Sequence, residues 1–409
     1  MSQELHDLIA AFARHGDSGD GGVKRLAASS EDRAARDLLA TEIRRRGLTL
    51  HVDAIGNMFG AAALVPALPE AVIVGSHLDS QPTGGRYDGA YGVLAGLLAV
   101  EAVAARATDR PGAARRNLVL ANWTNEEGAR FQPSLTGSSV YAGTFPLETA
   151  LALADADGTT LGEALTAIGY RGVSDLPFEP VSYVELHVEQ GMRLDETGTD
   201  IGVVTGAWAA RKLSLVFRGE PSHTGPTPMA RRRDALRAAA RAIDLVYDEV
   251  EASGTGAHAS AARITTFPNS PNVVPSCVQV WFEFRHEEKA VAIALGDGFL
   301  TRTKAALLPL GVSVEIAVDE RRGAAMLDAD GVALALAVAR DLGLSTLAIK
   351  TVAGHDALAL QKRVPASLIF VPSREGLSHS PKEFTDEIAL DKGLDLLTET
   401  LWRMVTAIG

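Results

Sequence analysis

Residues 71–92 read AVIVGSHLDSQPTGGRYDGAYG, a short apolar run that ends in a polar, glycine-rich turn. The run AVIVGSH reads as a buried strand that delivers His77 at its C-terminal end. An apolar helix follows from about Gly92 (VLAGLLAVEAVAA). Residues 117–123, NLVLANW, form a second buried strand pattern and run into Thr124, Asn125, Glu126 and Glu127. SYVELHVEQG at 182–191 is a third, carrying His187. Upstream, EDRAARDLLATEIRRR at 31–46 is helical, with acids early and bases late, as the helix dipole prefers. Strands alternating with helices predict an α/β sheet. In such sheets the chemistry gathers beyond the carboxyl ends of the strands.

The middle of the chain has another pattern. KLSLVFRGEPSH at 212–223 alternates apolar and polar residues, as a half-exposed antiparallel strand does. A long helix (DALRAAARAIDLVYDEV), the strand candidates AARITTFPNS and PSCVQVWFEFRH, a helix over about 287–308 and the strand VSVEIAVDE follow. After about residue 325 the helix–strand alternation returns. The predicted fold is therefore α/β: a catalytic domain with a central mixed, mostly parallel sheet flanked by helices, plus an inserted α+β domain with an antiparallel sheet. The expected boundaries are 1–206 with 323–409 for the first and 207–322 for the insert. A length of 409 residues agrees with two domains.

A net charge of −12 argues against a nucleic-acid partner and against attraction to anionic membranes. The single cysteine, Cys277, excludes an intrachain disulfide and fits a reducing compartment. It is expected to be a buried, inert thiol. The opening MSQELHDLIAAFARHGD lacks the basic head and apolar core of a signal peptide, so a cytoplasmic location is expected.

His77, Asp88, Glu127, His187 and His379 lie in the separate segments GSHLDSQPTGGRYDGAYG, NWTNEEGARF, ELHVEQG and GLSHSPKEF. Imidazoles and carboxylates in this number suit two divalent ions with one carboxylate, Asp88, shared between them. Asp79 stands two residues after His77, where a strand would place both on one face. Its carboxylate is then expected to hold the unligated nitrogen of His77. Glu126 and Glu127 end an apolar strand, where two like charges are costly without cations. One would bind metal; the other would take a proton from the activated water and pass it to the leaving nitrogen. His355, in AGHDA, is expected to touch substrate or support a ligand. The bland alternatives are surface loops, solvated charge runs and a satisfied core histidine, and the coincidence of all these segments counts against them.

The insert adds Arg211, His223, Asn272 and Arg285. Arg285 ends the apolar strand VQVWFEFR, where a guanidinium wants an anionic partner such as a substrate carboxylate. Asn272 offers a donor and an acceptor, and His223 could donate to a developing oxyanion.

With these segments in view, the chain resembles the dinuclear-metal amidohydrolase and peptidase family, in the branch of N-carbamoyl-L-amino acid hydrolases, β-ureidopropionases and allantoate amidohydrolases. The resemblance also rests on DAIGNMFG, IGVVTG, HTGPTPM and PNVVP, and it extends over nearly the whole chain. It implies that His77, Asp88 and His187 hold one metal and that Asp88, Glu127 and His379 hold the other. It makes Glu126 the general base with Asp79 in support, and places Gln190, Arg211 and Arg285 on the substrate. His223 and Asn272 would act from a lid, in cis or from a partner subunit, that also forms a homodimer contact. The implied reaction cleaves the ureido bond of a small N-carbamoyl amino acid; allantoate, another N-acyl amino acid or a dipeptide is the alternative substrate. Two ions per subunit are expected, zinc first, with manganese, cobalt or nickel as substitutes. Glu283 stands where an aspartate is often seen two residues before the arginine, and Met192 where proline is common.

Overall fold

A computed structural model describes residues 1–173 and 176–407. The chain divides into two compact units, Met1–Thr205 with Leu327–Gly409, and Gly206–Met326. The strands are, in chain order, β1 (Thr49–Val52), β2 (Met58–Ala62), β3 (Glu70–His77), β4 (Asn117–Trp123), β5 (Glu179–Val188), β6 (Ile201–Ala207), β7 (Ala209–Arg218), β8 (Ser222–His223), β9 (His258–Phe267), β10 (Val273–Val274), β11 (Cys277–His286), β12 (Ser313–Arg322), β13 (Ala325–Met326), β14 (Thr346–Thr351) and β15 (Ala366–Val371).

The larger unit is built on a sheet in the order β1-β2-β4-β3-β5-β15-β6, with β14 also on β6. Its centre is parallel: β3 pairs in parallel with β4 and β5, and β15 with β5. These central strands are apolar along their length because both faces are covered. AVIVGSH, NLVLANW and ASLIFV are buried at every residue. One face packs on the helices Ser2–Ala13, Ser30–Arg45, Ala90–Asp109, Ala329–Asp341 and Glu387–Thr406, through residues such as Leu39, Leu97, Val338 and Leu397. The other face buries Phe59, Trp123, Tyr183 and Phe370 with Ala357 and Leu360 of the helix Asp356–Leu360. Ser30–Arg45 starts where the Ser29 side chain accepts the Asp32 N–H at 3.2 Å, and Glu31 and Asp32 occupy its first turn. Ala90–Asp109 is long and apolar enough to cross a membrane by composition, but it is a core helix packed on β3 and on Glu387–Thr406. Fully burying each of its large aliphatic side chains contributes about 1.5–3 kcal/mol.

The smaller unit is a four-stranded antiparallel sheet, order β12-β7-β11-β9, with the helices Ala235–Ser253 and Lys289–Leu307 on one face. β11 shows why its sequence alternates: Val278, Val280, Phe282 and Phe284 are buried and their neighbours are not. The two ends of this unit pair with each other, Ala325 opposite Ala207 and Met326 opposite Gly206. Cys277 is half-buried rather than buried, because it begins β11 with its Sγ 3.8 Å from the Arg218 guanidinium.

Candidate metal centre

The central parallel strands deliver their polar residues to one end of the larger unit. β3 ends at His77, β4 is followed by Glu126 and Glu127, β5 carries His187, and the segment after β15 carries His379. Asp88 comes from the glycine-rich turn after β3. Its two oxygens face different partners. Oδ1 lies 3.2 Å from His187 Nε2 and 3.6 Å from His77 Nε2, whereas Oδ2 lies 3.3 Å from His379 Nε2. The Glu127 carboxylate closes the second group, 3.4 Å from His379 Nε2. Within each trio, His77–Asp88–His187 and Asp88–Glu127–His379, the donor atoms lie within 4.8 Å of one another. The arrangement would suit a carboxylate shared between two divalent ions.

Donor chemistry fits the ions as well. The Nδ1 atoms of His77 and His187 donate to main-chain carbonyls, of Asp79 at 2.9 Å and Val188 at 2.8 Å. Each Nε2 thereby faces the carboxylates, that of His77 lying 3.4 Å from Glu126 Oε2, while that of His187 also accepts the Gly89 N–H at 3.1 Å. Glu127 is pushed up to about 8 by burial and then by the charge of Asp88. Glu126 is raised well above the usual carboxylate range by burial, then by Asp356 and Glu127. Carboxylates crowded in this way call for compensating cations. A further buried group, Glu185–His187–His355, is already committed: Glu185 accepts the Ser76 hydroxyl at 2.9 Å and the Ala357 N–H at 2.8 Å.

Local backbone serves the site. Gly89 has φ +64, and a Cβ there would sit 2.4 Å from the His77 ring, so no other residue fits. Asn125, Gln190 and His379 also adopt positive φ, at 55°, 59° and 51°. Such conformations persist where surroundings hold them and often mark functional sites. Asn125 is held by its side chain, which donates to Phe131 O and to Thr136 Oγ1, both at 2.8 Å.

The structure reassigns several supporting residues. The Asp79 carboxylate does not reach His77. β3 ends at His77, so the strand alternation behind that expectation stops before residue 79. Its oxygens accept the main-chain N–H groups of Glu126 and Glu127 instead, each at 3.2 Å. Asp79 thus anchors the turn that aims both glutamates. Gln190 donates to Asp88 Oδ2 at 2.9 Å, which makes it a support for the shared carboxylate. His355 is buried, its ring 4.7 Å from that of His187 and edge-on to it, so it braces His187.

Arg211 is corrected most. It alternates in phase with Leu213, Leu215 and Phe217 and therefore points to the helix-covered face. There it binds Asp319 at 3.0 Å, Asp297 at 2.7 Å and Ile293 O at 2.8 Å, and no cation is left over for a ligand.

Arg285 lies on the opposite face of the same sheet. Direct cross-strand neighbours share a face, which places His258, Arg285, Ala210 and Arg322 in one row and Ser260, Glu283, Lys212 and Glu320 in the next. Glu283 binds Arg285 at 3.0 Å and Lys212 at 3.6 Å. His223 Nδ1 accepts the Gly225 N–H at 3.0 Å, which leaves the proton of the neutral ring on Nε2 as an outward donor. His223 pairs with Val273, and Thr224 N–H donates to Asn272 O at 3.2 Å, so His223 and Asn272 stand side by side.

Sequence reasoning missed the layer behind the glutamates. Arg36 is buried and donates to Asp32 at 2.8 Å, Gly56 O at 2.7 Å and Thr124 Oγ1 at 3.3 Å. Arg25 donates to Leu78 O at 2.6 Å, Phe12 O at 2.9 Å and His15 O at 2.8 Å. The one available signal for these arginines was their place in the stretch GGVKRLAASSEDRAARDLL, with which the resemblance to the amidohydrolase family begins.

Loss of His379 tests the second trio directly. His379→Ala should reduce the metal content from about two ions per chain towards one, read by elemental analysis after dialysis. An unchanged content would remove His379 from the ligand set.

A model of the peptidase family M20/M25/M40 matches residues 73–403. The allantoate amidohydrolase of Bacillus subtilis (strain 168) is 33% identical over 99% of this chain and 98% of its own length. The N-carbamoyl-L-amino acid amidohydrolase of Geobacillus stearothermophilus is 32% identical over 99% and 98%. Among solved structures, a hydantoinase/carbamoylase family amidase from Burkholderia vietnamiensis aligns over 100% of this chain and 98% of its own, at 36% identity and a TM-score of 0.93.

Proposed function

The chain belongs to the peptidase family M20/M25/M40, and from that premise we propose that it hydrolyses the ureido C–N bond of a small N-carbamoyl amino acid. The products are the amino acid, ammonia and carbon dioxide. The observation that carries this reading is Asp88, whose two oxygens face two separate donor groups with Glu126 beside them. His77, Asp88 and His187 would hold one ion and Asp88, Glu127 and His379 the other, with zinc as the native metal. Bound there, the ions supply polarisation of the carbonyl and acidification of the attacking water.

The remaining work falls to side chains. Glu126, with Oε2 3.4 Å from His77 Nε2, accepts a proton from water and returns it to the leaving nitrogen. His223 donates from Nε2 to the carbonyl oxygen as negative charge develops, and Asn272 beside it holds the ureido group. Arg285 binds the substrate carboxylate. Arg285→Ala should therefore raise KM for an N-carbamoyl amino acid by about 10²-fold, the loss of a charge-assisted pair, and spare the corresponding uncharged amide. Equal losses on both substrates would overturn the clamp.

Allantoate is the second reading. Arg322 shares the sheet face and row of Arg285 across the small Ala210, where it pairs with Glu320 at 2.5 Å, so a further polar arm would have to compete with Glu320 for this second cation. Ammonia release from N-carbamoyl amino acids, allantoate and dipeptides, with and without chelator, separates these readings. A homodimer formed through the insert completes the proposal. Among the described residues, β9 and β12 are each paired on one side only, which leaves two open sheet edges. Light scattering on the purified chain reads the state directly.

A further inference from the structure

His77 and His187 stand on strands, where the sheet ladder fixes them. Asp88 and His379 stand on loops, and His379 is half-exposed with φ +51. Something else must set the distance between them. Two side chains outside the proposed ligand set reach both loops: Gln190, which donates to Asp88 Oδ2 at 2.9 Å and to Ser378 Oγ at 3.0 Å, and Glu383, which alone of the two also holds main-chain groups of the Asp88 loop. Glu383 is buried, and its Oε1 accepts the main-chain N–H groups of Tyr87 at 2.9 Å and Asp88 at 3.1 Å. Its Oε2 lies 3.3 Å from Ser378 Oγ, on the residue next to His379, and that hydroxyl lies 3.3 Å from Asp88 Oδ2. Gly85 records the same contact from the other side. A Cβ at Gly85 would fall 2.2 Å from the Glu383 carboxyl, and its three nearest atoms all belong to Glu383.

We propose that Glu383 is a positioning residue that fixes the Asp88 loop against the His379 loop and so sets the affinity of the ion held by Asp88, Glu127 and His379. The assignment rests on the two-ion reading given above. Glu383 touches neither substrate nor ion. It acts by holding main-chain groups, with Oε1 on the backbone of one loop and Oε2 on the serine of the other. Groups that orient ligands in this way typically change metal affinity by about 10–100-fold when removed.

The test is a competition titration of the metal-free chain with zinc and a chromophoric chelator, which reads stoichiometry and both dissociation constants without turnover. Wild type should bind two ions. Glu383→Ala should weaken the looser ion by at least about 10-fold and leave the tighter one within a few-fold. Glu383→Gln keeps an acceptor at the Oε1 position and should fall between the two. Gly85→Ala, which alters no ligand and needs no left-handed backbone, should weaken the same ion by displacing Glu383. In the Glu383→Ala background it should add nothing, because residues in contact are not independent. Gly85→Ala also carries the test if Glu383→Ala fails to fold. Two ions bound with wild-type affinity by Glu383→Ala, or losses that simply add in the double variant, overturn the assignment alone. Fewer than two ions on the wild type overturns the two-ion reading together with it.

Discussion

Glu126→Gln should lose about 10³-fold in kcat while still holding both ions, within the range expected when a general base is removed. Glutamine keeps the size and one acceptor oxygen but cannot take a proton from water. Burial, followed by the charges of Asp356, Glu127, Asp79 and Asp88, pushes the Glu126 carboxyl well above its ordinary value. A carboxylate destabilised in this way accepts a proton more readily than a solvated one. The same repulsion predicts a second signature. Replacing Glu126 with a neutral side chain relieves it, so the variant assayed in chelator should melt at a temperature no lower than wild type. Ammonia release, elemental analysis and a thermal scan check the three parts. Full activity would remove Glu126 as the base, and loss of metal would move it into the ligand set.

The parts of this site that were legible in the sequence are those written in local patterns. A buried parallel strand is a continuous apolar run, so NLVLANW and AVIVGSH gave away β4 and β3, whose ends place the glutamates just past β4 and His77 as the last residue of β3. Alternation in KLSLVFRGEPSH marked β7 as a one-sided strand. The short, half-exposed β1 and the small helices Thr136–Tyr141, Leu147–Leu151 and Leu161–Ile168 have too few periodic residues to stand out. The supporting contacts were illegible for a different reason. Which atom of Asp79 meets His77 depends on where β3 stops, a matter of one residue that periodicity does not resolve. Arg211 shows the limit from the other side. Its type suggested a ligand contact, but its phase with Leu213, Leu215 and Phe217 assigns it to the covered face. Partners at Asp297 and Asp319, about a hundred residues away in sequence, could not have been read from its neighbours.

Replacing Asp79 should be nearly as damaging as replacing Glu126, and the pattern of damage decides what Asp79 does. The structure gives its carboxylate to the main-chain N–H groups of Glu126 and Glu127. Burial and then the charge of Asp32 push it up to about 7, while those two N–H groups and Arg36 pull it back down. Asp79→Ala leaves both N–H groups without this partner in a buried turn, at a cost of about 1–3 kcal/mol for each group left unpaired. Asp79→Asn keeps one carbonyl oxygen and turns an N–H₂ group towards the other donor. Either change loosens the turn that aims Glu126, and a displacement of about 1 Å at a reacting group is enough to lower kcat by about 10²-fold. The His77 tautomer, by contrast, is held by the main-chain carbonyl of Asp79, which every substitution retains. Both variants should therefore keep the ion at His77, Asp88 and His187 while turning over slowly. If Asp79 acted instead through its side chain on His77, the ion at His77, Asp88 and His187 would leave first, and the remaining fully loaded molecules would work at the normal rate. Metal affinity measured beside kcat distinguishes the two, and the second pattern would return Asp79 to the role that its spacing from His77 suggests.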